Sequence, residues 1–428
     1  MIAPESPRGL TARLTVAPRW LFALYAGGAA FTAYFCMYGL RKPFDTVTFT
    51  GEKFLGTPID LKTACVLGQI LGYVVSKYVG VRVCAEAGRS QRTWLLLGAG
   101  VWSELALVAF AFAPAPLRPL AMFANGLPLG VVWGFLVRYL EGRRTSDLLL
   151  VMLSGSFVIA GAATKDFGMY LYTVQGVAEL WVPALAGAVF LVPYLIAVRL
   201  LHALPVPDAH DELARSPRPS LNAAGRRAFL ARIGAGFVFL VVAYFLLTAY
   251  RDFRDHYGRE ILQAMGCERS PGVFVRTDRW ALVTTLCALG LLNLIGNHHR
   301  AIVAVFALIL TGFAVIAGST LAYRAGHLDG IEWLSAVGIG LYLAYVPFGT
   351  VLFERVVAAA RFPGTSVFAV QLADGVGYTG SVLLQLYRDL VHADMDRLAF
   401  FVPLSLVVAV VGAACAVIGG LAVGRRLS

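Results

Sequence analysis

A small set of charged side chains lies within or at the ends of long apolar stretches: Arg41 and Lys42, Lys77, Glu104, Lys165 and Asp166, Arg251 and Asp252, and Asp374. An ionisable group placed in hydrocarbon costs at least about 2.5–3.5 kcal/mol on insertion scales, so each is a candidate for function. Arginine suits planar, bidentate capture of phosphate or carboxylate and stays charged at physiological pH. Arg41 and Arg251 stand out because each closes a polar series. Tyr34, Tyr38 and Arg41 are spaced i, i+4, i+7, and Tyr244, Thr248 and Arg251 repeat that spacing. On a helix each series would follow one face. Two arginines at equivalent positions in two halves of a chain would face each other across a central cavity and bind an anionic solute. The alternative is a pair of helix-end arginines reaching out to the membrane interface.

The remaining charges divide by depth. Lys77 lies about a turn and a half from a helix end, within reach of either a pore or the interface. Glu104 is central in its stretch, as a proton carrier or as the partner of a cation on another helix. Neighbouring residues on a helix point about 100° apart, so Lys165 and Asp166 are expected to pair with other helices rather than with each other. Asp374 lies in a glycine-rich string, Ala373 to Gly380. Coupling to protons or a buried helix-to-helix hydrogen bond are both open to Glu104, Asp166 and Asp374. The same string contains Gly375, Gly377 and Gly380, a literal GxGxxG, but no strand precedes it, so a dinucleotide site is not expected. These glycines, like Gly126, Gly130 and Gly134, are expected to let helices approach closely. The seven histidines fall in loops or near span ends. The six cysteines show no ligand spacing and no disulfide framework. No P-loop, HExxH or nucleophile elbow occurs, so no cofactor, metal or enzymatic activity is expected.

The elements that would position these residues are membrane helices. Of the 428 residues, 58% are hydrophobic and only 14% charged, against roughly a quarter charged in soluble domains. The net charge of +11 comes without a basic, aromatic-rich run, and nucleic acid is not an expected partner. Twelve stretches reach the length of about 20 apolar residues that a span requires: 20–44, 60–82, 93–113, 118–139, 148–172, 179–201, 233–253, 279–297, 301–323, 331–353, 364–387 and 398–424. With the N-terminus inside, the inner segments hold twenty basic and eight acidic residues and the outer ones fourteen of each. That bias places both termini in the cytoplasm. Trp20, Trp94, Trp181, Trp280 and Trp333 fall at span ends, as interfacial rings do.

The spans divide six and six about a linker over 202–232, which carries Pro205, Pro207, Pro217 and Pro219. The expected layout is therefore a cytoplasmic N-terminus (1–19), a six-helix bundle (20–201), the linker, a second bundle (233–424) and a short tail (425–428). The halves echo one another: Gly126-Leu127-Pro128-Leu129 answers Gly340-Leu341-Tyr342-Leu343 about 210 residues on. Repeated six-helix halves mark secondary transporters, with the substrate held between them near the bilayer midplane.

Span 1, Tyr34 through Arg41-Lys42-Pro43-Phe44, resembles the first helix of the organophosphate:phosphate antiporters of the major facilitator superfamily. Ser76-Lys77-Tyr78 resembles the string that follows in their second helix, and Asn125-Gly126-Leu127 through Arg138 their fourth. The resemblance implies an all-α, twelve-helix protein in two pseudo-symmetric bundles, with Arg41 and Arg251 as phosphate-binding residues and Lys77 as an accessory cation. The family's fifth-helix histidine has no counterpart, Lys165 standing in that span, and the loop motif at Arg82, Glu86 and Arg89 is degenerate. The string Tyr250 to Asp255 also resembles an uncharacterised bacterial family distantly placed in the superfamily. The expectation is a monomeric secondary transporter of the bacterial inner membrane, moving a small anionic solute, such as a phosphorylated metabolite, by alternating access. The rival expectations are a proton-coupled carrier of a carboxylate or other anion, and a sensor or enzyme built on a transporter fold. A short amphipathic helix is expected through Tyr257, Ile261, Leu262 and Met265 in the loop from Arg254 to Thr277.

Overall fold

In the computed structural model the described residues are 9–141, 143, 145–206, 234–267, 272–353, 356 and 367–427. Residues 207–233, which take in most of the expected linker over 202–232, lie outside them, as does Glu354-Arg355. The chain divides into two compact units, one of Met1–Leu55 with Ala64–Ser216 and one of Gly56–Thr63 with Pro217–Ser428. Among the described residues there is no β-strand.

The first unit holds α1 (Leu10–Thr15), α2 (Arg19–Gly39), α3 (Leu61–Glu86) from Ala64 onward, α4 (Arg89–Phe112), α5 (Arg118–Leu129), α6 (Val132–Leu140), α7 (Ser146–Thr173) and α8 (Val182–His202). The second holds α9 (Ala235–His256), α10 (Gly258–Ala264), α11 (Val273–Asn293), α12 (His298–Arg324), α13 (Gly330–Pro347), α14 (Val367–Val391) and α15 (Arg397–Leu427). Nine helical segments among the described residues are long and apolar enough to cross a membrane. The three expected spans not among them are the long helices α3, α11 and α14, which carry more charge: Lys62 and Lys77, Arg276, Asp278 and Arg279, and Asp374, Arg388 and Asp389.

The internal repeat is visible in the packing. In the first unit the leading long helix, α2, packs on α7 and α8, while α4 packs on α5 and α8. In the second, α9 packs on α14 and α15, while α12 packs on α13 and α15. The fourth position in each unit is interrupted beside a proline, which lacks the N–H that continues a helix. Pro128 precedes the break between α5 and α6, and Pro347 precedes a π-turn at Phe348–Leu352.

The glycine spacing in the fourth span has the expected role. A methyl on Gly126 would overlap the Gln69 carbonyl, and one on Gly130 would meet the Tyr73 carbonyl at 2.5 Å. Gly68 and Gly72 face α5 in return, against the carbonyls of Pro119 and Phe123. Gly126→Ala is therefore expected to force α3 and α5 apart at about 1–3 kcal/mol, seen as a lower Tm in detergent. Gly28→Ala, where nothing lies within 4 Å, serves as the neutral control.

Three boundaries differ from expectation. Helix α2 ends at Gly39, and a 3₁₀ turn, Lys42–Thr46, replaces its expected last turn because Pro43 cannot continue an α-helix. Helix α9 runs on to His256 and α11 starts at Val273, so the connection between them is shorter than read. The short helix expected there is α10, with Tyr257, Ile261 and Leu262 buried. Residues Gly56–Thr63, assigned from sequence to the first bundle, group with the second unit. The cause is electrostatic: Asp60 accepts from Arg388 at 2.8 Å and Arg397 at 2.7 Å. Lys62 also pairs with Glu260 at 2.5 Å.

Candidate functional site

In the first unit the polar centre is built around Arg41. Its backbone N–H still donates to Tyr38 O at 3.0 Å, but at φ −125° and ψ −51° the helix has ended. Arg41 is thus not in continuous helical register with Tyr34 and Tyr38, as the spacing predicts. Its guanidinium carbon lies 4.6 Å from the centroid of the Tyr73 ring. Its Nε donates to Gln69 Oε1 at 3.4 Å. Gln69 passes the order on, donating to Asn125 Oδ1 at 2.8 Å, and Asn125 donates to Leu40 O and Ser103 O at 3.0 and 3.1 Å. One buried amide therefore fixes the end of α2, α3, α4 and α5 against one another and leaves the arginine carried on Tyr73.

Lys77 also lies over Tyr73, 5.3 Å from the centroid. The α3 residues Gln69, Tyr73 and Lys77 fall at i, i+4 and i+8, a helical face that sequence reasoning could have found and did not. Tyr34 and Tyr38 do share a face, with ring centroids 5.5 Å apart, and Tyr34 is buried against Trp133 at 4.9 Å.

The second unit repeats an arginine on a tyrosine. Arg251 lies 4.5 Å from the Tyr345 centroid and donates through Nε and Nη2 to Asp252 Oδ1 at 3.0 and 2.7 Å. The general expectation that helix neighbours pair poorly fails at this position, because the long arginine stem curls back to the next residue. Tyr345 stacks on Tyr244, with centroids 5.0 Å apart and planes 16° from parallel. The Tyr244 hydroxyl lies 2.9 Å from Tyr345 Oη and 2.6 Å from Asp374 Oδ1. Thr248, 1% exposed, donates back to Tyr244 O at 2.8 Å and packs on Gly377. Gly377 and Gly380 of the GxGxxG string bring α14 close to α9, against Thr248 and Phe245. Tyr345 and Tyr73 carried no signal of their own in the sequence, since tyrosine is common in this chain.

Of the sequence-predicted residues, Arg41 and Lys77 come together on one ring, and Arg251, Tyr244 and Asp374 form one group. Lys165 is buried and Asp166 half-buried on α7. Glu104 stands elsewhere, against Gly187 of α8, where a methyl would overlap its carboxylate. Its Oε2 is buried without a hydrogen-bond partner, a penalty of about 1–3 kcal/mol. Glu104→Met, apolar and of similar length, is accordingly expected to raise the Tm by a few degrees in a thermal unfolding assay. A lower Tm would mean that the carboxylate contributes to the fold.

Outside these centres lies a network that the sequence did not announce. Asp389 accepts from Arg388 Nη1 and Arg397 Nη1, both at 2.9 Å, and from the Asp60 N–H at 2.9 Å. The Tyr257 hydroxyl lies 2.9 Å from Thr63 Oγ1, and Arg397 lies 4.1 Å over the Tyr257 ring. Arg254 pairs with Asp278 at 2.6 Å and donates to Leu334 O at 3.1 Å.

The helical repeat, the apolar helices and the charges gathered on tyrosines define an integral membrane protein with the fold of the major facilitator transporters. Solved structures of that fold cover nearly the whole chain. A nucleoside transporter, NupG, matches at 14% identity over 94% of this chain and 98% of its own, with TM-score 0.62. A D-xylose-proton symporter matches at 13% identity over 94% and 97%, with TM-score 0.63. A bacterial homologue of the human lysosomal transporter Spinster, inward-facing and unoccupied, matches at 11% identity over 96% and 98%, with TM-score 0.64. No curated protein matches the sequence. The chain belongs to a family of unknown function, DUF5690, which matches residues 43–424.

Proposed function

We propose that this protein is a secondary transporter that moves a small anionic solute by alternating access, with a phosphorylated metabolite as the preferred class. The observation that carries this reading is the arginine laid on a tyrosine face in each unit, Arg41 on Tyr73 and Arg251 on Tyr345. Such a ring holds a guanidinium by cation–π attraction, and a guanidinium suits bidentate capture of an oxyanion. Lys77, on the same ring as Arg41, adds a second positive charge on that side. The solute class also draws on the resemblance of spans 1, 2 and 4 to the organophosphate:phosphate antiporters. The fold is shared with proteins that carry nucleosides and D-xylose with protons, so the anion is assigned here from the arginines and not from those neighbours.

In the proposed cycle the anion is held by Arg41 and by Arg251, and its departure lets the binding site open to the other side of the membrane. No nucleotide-binding motif is present in the sequence, so the drive is exchange against phosphate or uptake of protons through Glu104, Asp166 or Asp374. The protein acts in this reading as a monomer in the bacterial inner membrane with both termini cytoplasmic. The decisive experiment is thermal stabilisation of purified protein by a panel of phosphorylated and carboxylated solutes. A ligand at one hundred times its Kd stabilises by about 2.7 kcal/mol. Stabilisation by phosphorylated solutes with competition from inorganic phosphate supports the reading. Stabilisation by carboxylates without such competition favours a carrier of a different anion. No flux with any ligand points to a sensor or enzyme on this fold.

A further inference from the structure

The strap Gly56–Thr63 groups with the second unit although the chain on either side of it groups with the first. Its two ends differ in how they are held. Residues 55–58 are exposed, and the chain turns into the strap through two consecutive left-handed residues, Leu55 at φ 50° and Gly56 at φ 70°. Glycine accepts that conformation, but a leucine in it is strained. Leu61, Lys62 and Thr63, already in the first turn of α3, are buried. Asp60 stands between the exposed and the buried end, and through it the strap meets Arg388 and Arg397.

Both arginines aim at one atom. Arg388 Nη1 donates to Asp60 Oδ2 at 2.8 Å and Arg397 Nη2 donates to the same oxygen at 2.7 Å. Each also donates through Nη1 to Asp389 Oδ1 at 2.9 Å. The two carboxylates therefore share two guanidiniums, but they are not equivalent. Asp389 is fully buried and accepts the Asp60 N–H as well, so it is a fixed counter-ion. The Asp60 side chain is 26% exposed and belongs to a strap whose outer end is open to solvent. The guanidiniums are not saturated by these partners. Arg388 Nε is buried without an acceptor, while Nη2 of the same group donates to Met395 O. Arg397 Nη2 has a second, longer contact with Thr63 Oγ1 at 3.2 Å.

We propose that Arg388 and Arg397 form a second binding site, for a tetrahedral oxyanion of the phosphate class, and that Asp60 occupies it as a tethered competitor. Asp60 offers one oxygen to both guanidiniums, whereas a phosphate brings a separate oxygen for each and suits the arginine fork. The charge balance favours the exchange. In the described ion pairs of this cluster Lys62, Arg388 and Arg397 meet Asp60, Asp389 and Glu260, three cations to three carboxylates. Lifting Asp60 away leaves one positive charge, which an incoming anion replaces, and it releases the strained turn at Leu55. No covalent bond changes. With both termini cytoplasmic, the loop before α3 and the connection from α14 to α15 face the outside, so a solute entering from there meets this pair of arginines. That last placement rests on the transporter reading; the binding site and its competitor do not.

The test is rescue by inorganic phosphate, read as thermal unfolding of the purified full chain in detergent. Asp60→Asn keeps the shape of the side chain and removes the competing charge. Its Tm should fall below that of the wild type and recover by several degrees as phosphate is added, since a ligand of the folded state stabilises it in proportion to occupancy. Sodium chloride at matched ionic strength should give no such recovery. Adding Arg397→Lys, which keeps the charge but loses the fork, should abolish the rescue. Rescue by chloride as well, or none by phosphate, overturns the proposal. The same titration in Asp60→Asn combined with Arg41→Ala and Arg251→Ala separates the two sites. Rescue that persists there belongs to Arg388 and Arg397 even if the anion reading of Arg41 and Arg251 fails, and rescue that vanishes there overturns this proposal. Hydrogen exchange on the wild type tests the competition itself and does not depend on any variant folding. Phosphate should speed exchange of the 56–60 amides, that of Asp60 included, because its N–H bond to Asp389 is broken as the strap lifts. Exchange that phosphate leaves unchanged overturns the role given to Asp60.

Discussion

Asp389→Asn is expected to destabilise the second unit by about 3–5 kcal/mol, the cost of breaking a buried ion pair from one side. Asp389 is fully buried and accepts from both Arg388 and Arg397, whose side chains are 6% and 7% exposed. Removing its charge leaves two guanidiniums sharing the Asp60 carboxylate, in a site with little water to screen them. The contrast is Arg138–Glu141, a pair at 3.1 Å with both side chains 39% exposed. Arg138→Ala there should cost no more than about 1 kcal/mol. Thermal unfolding of the two variants side by side measures the difference, and equal losses would sink the assignment. The same network makes a pH prediction. Asp389 lies beyond the expected span 364–387; burial pushes its carboxyl up, but Arg397 and hydrogen bonds from Thr63, Arg388 and the Asp60 N–H outweigh this and hold it below its ordinary value of 3.8. A depressed carboxylate contributes stability that is present above its unfolded pKa and lost as pH falls through the folded one. Asp389→Asn should therefore flatten the loss of stability seen below about pH 4.

The legible part of this protein is what depends on periodic, local signals. Long apolar runs gave the helices; Gly126 and Gly130 gave a close helix contact; Tyr257, Ile261 and Leu262 gave a seven-residue helix within a loop. These features are written in neighbouring residues, because a helix face or a span length is a property of one segment. The partners were not legible. Arg251, expected from its spacing to bind an anion, bonds to the next residue, Asp252. Asp60 and Arg397 are 337 positions apart in sequence and meet at 2.7 Å. Nothing local to either residue records the other. The expected span 20–44 matches an apolar stretch over Arg19–Thr46, but its α-helix ends at Gly39, five residues short of the expected end, because Pro43 breaks the pattern that Arg41-Lys42-Pro43-Phe44 continues in sequence.

Arg41→Ala is expected to reduce solute uptake by reconstituted protein about a hundredfold or more, with little change in Tm. The size follows from the environment. Removing one partner of a desolvated, hydrogen-bonded charge pair costs about 2–5 kcal/mol, or roughly 30-fold to several thousandfold at 1.4 kcal/mol per factor of ten. The fold should tolerate the change because Gln69 keeps its bond to Asn125, and Asn125 keeps its bonds to Leu40 and Ser103. Arg41→Lys should not rescue it: an ammonium lacks the fork that spans two oxyanion oxygens, and a second lysine would stand with Lys77 on the Tyr73 ring. Arg251→Ala should be at least as damaging for a different reason, since it removes the guanidinium paired with Asp252 and leaves that carboxylate's charge near the site to repel the anion. The double variant Arg251→Ala, Asp252→Ala should then transport better than the single one. Uptake that survives both Arg41→Ala and Arg251→Ala would show that the anion is held elsewhere, whatever the fold.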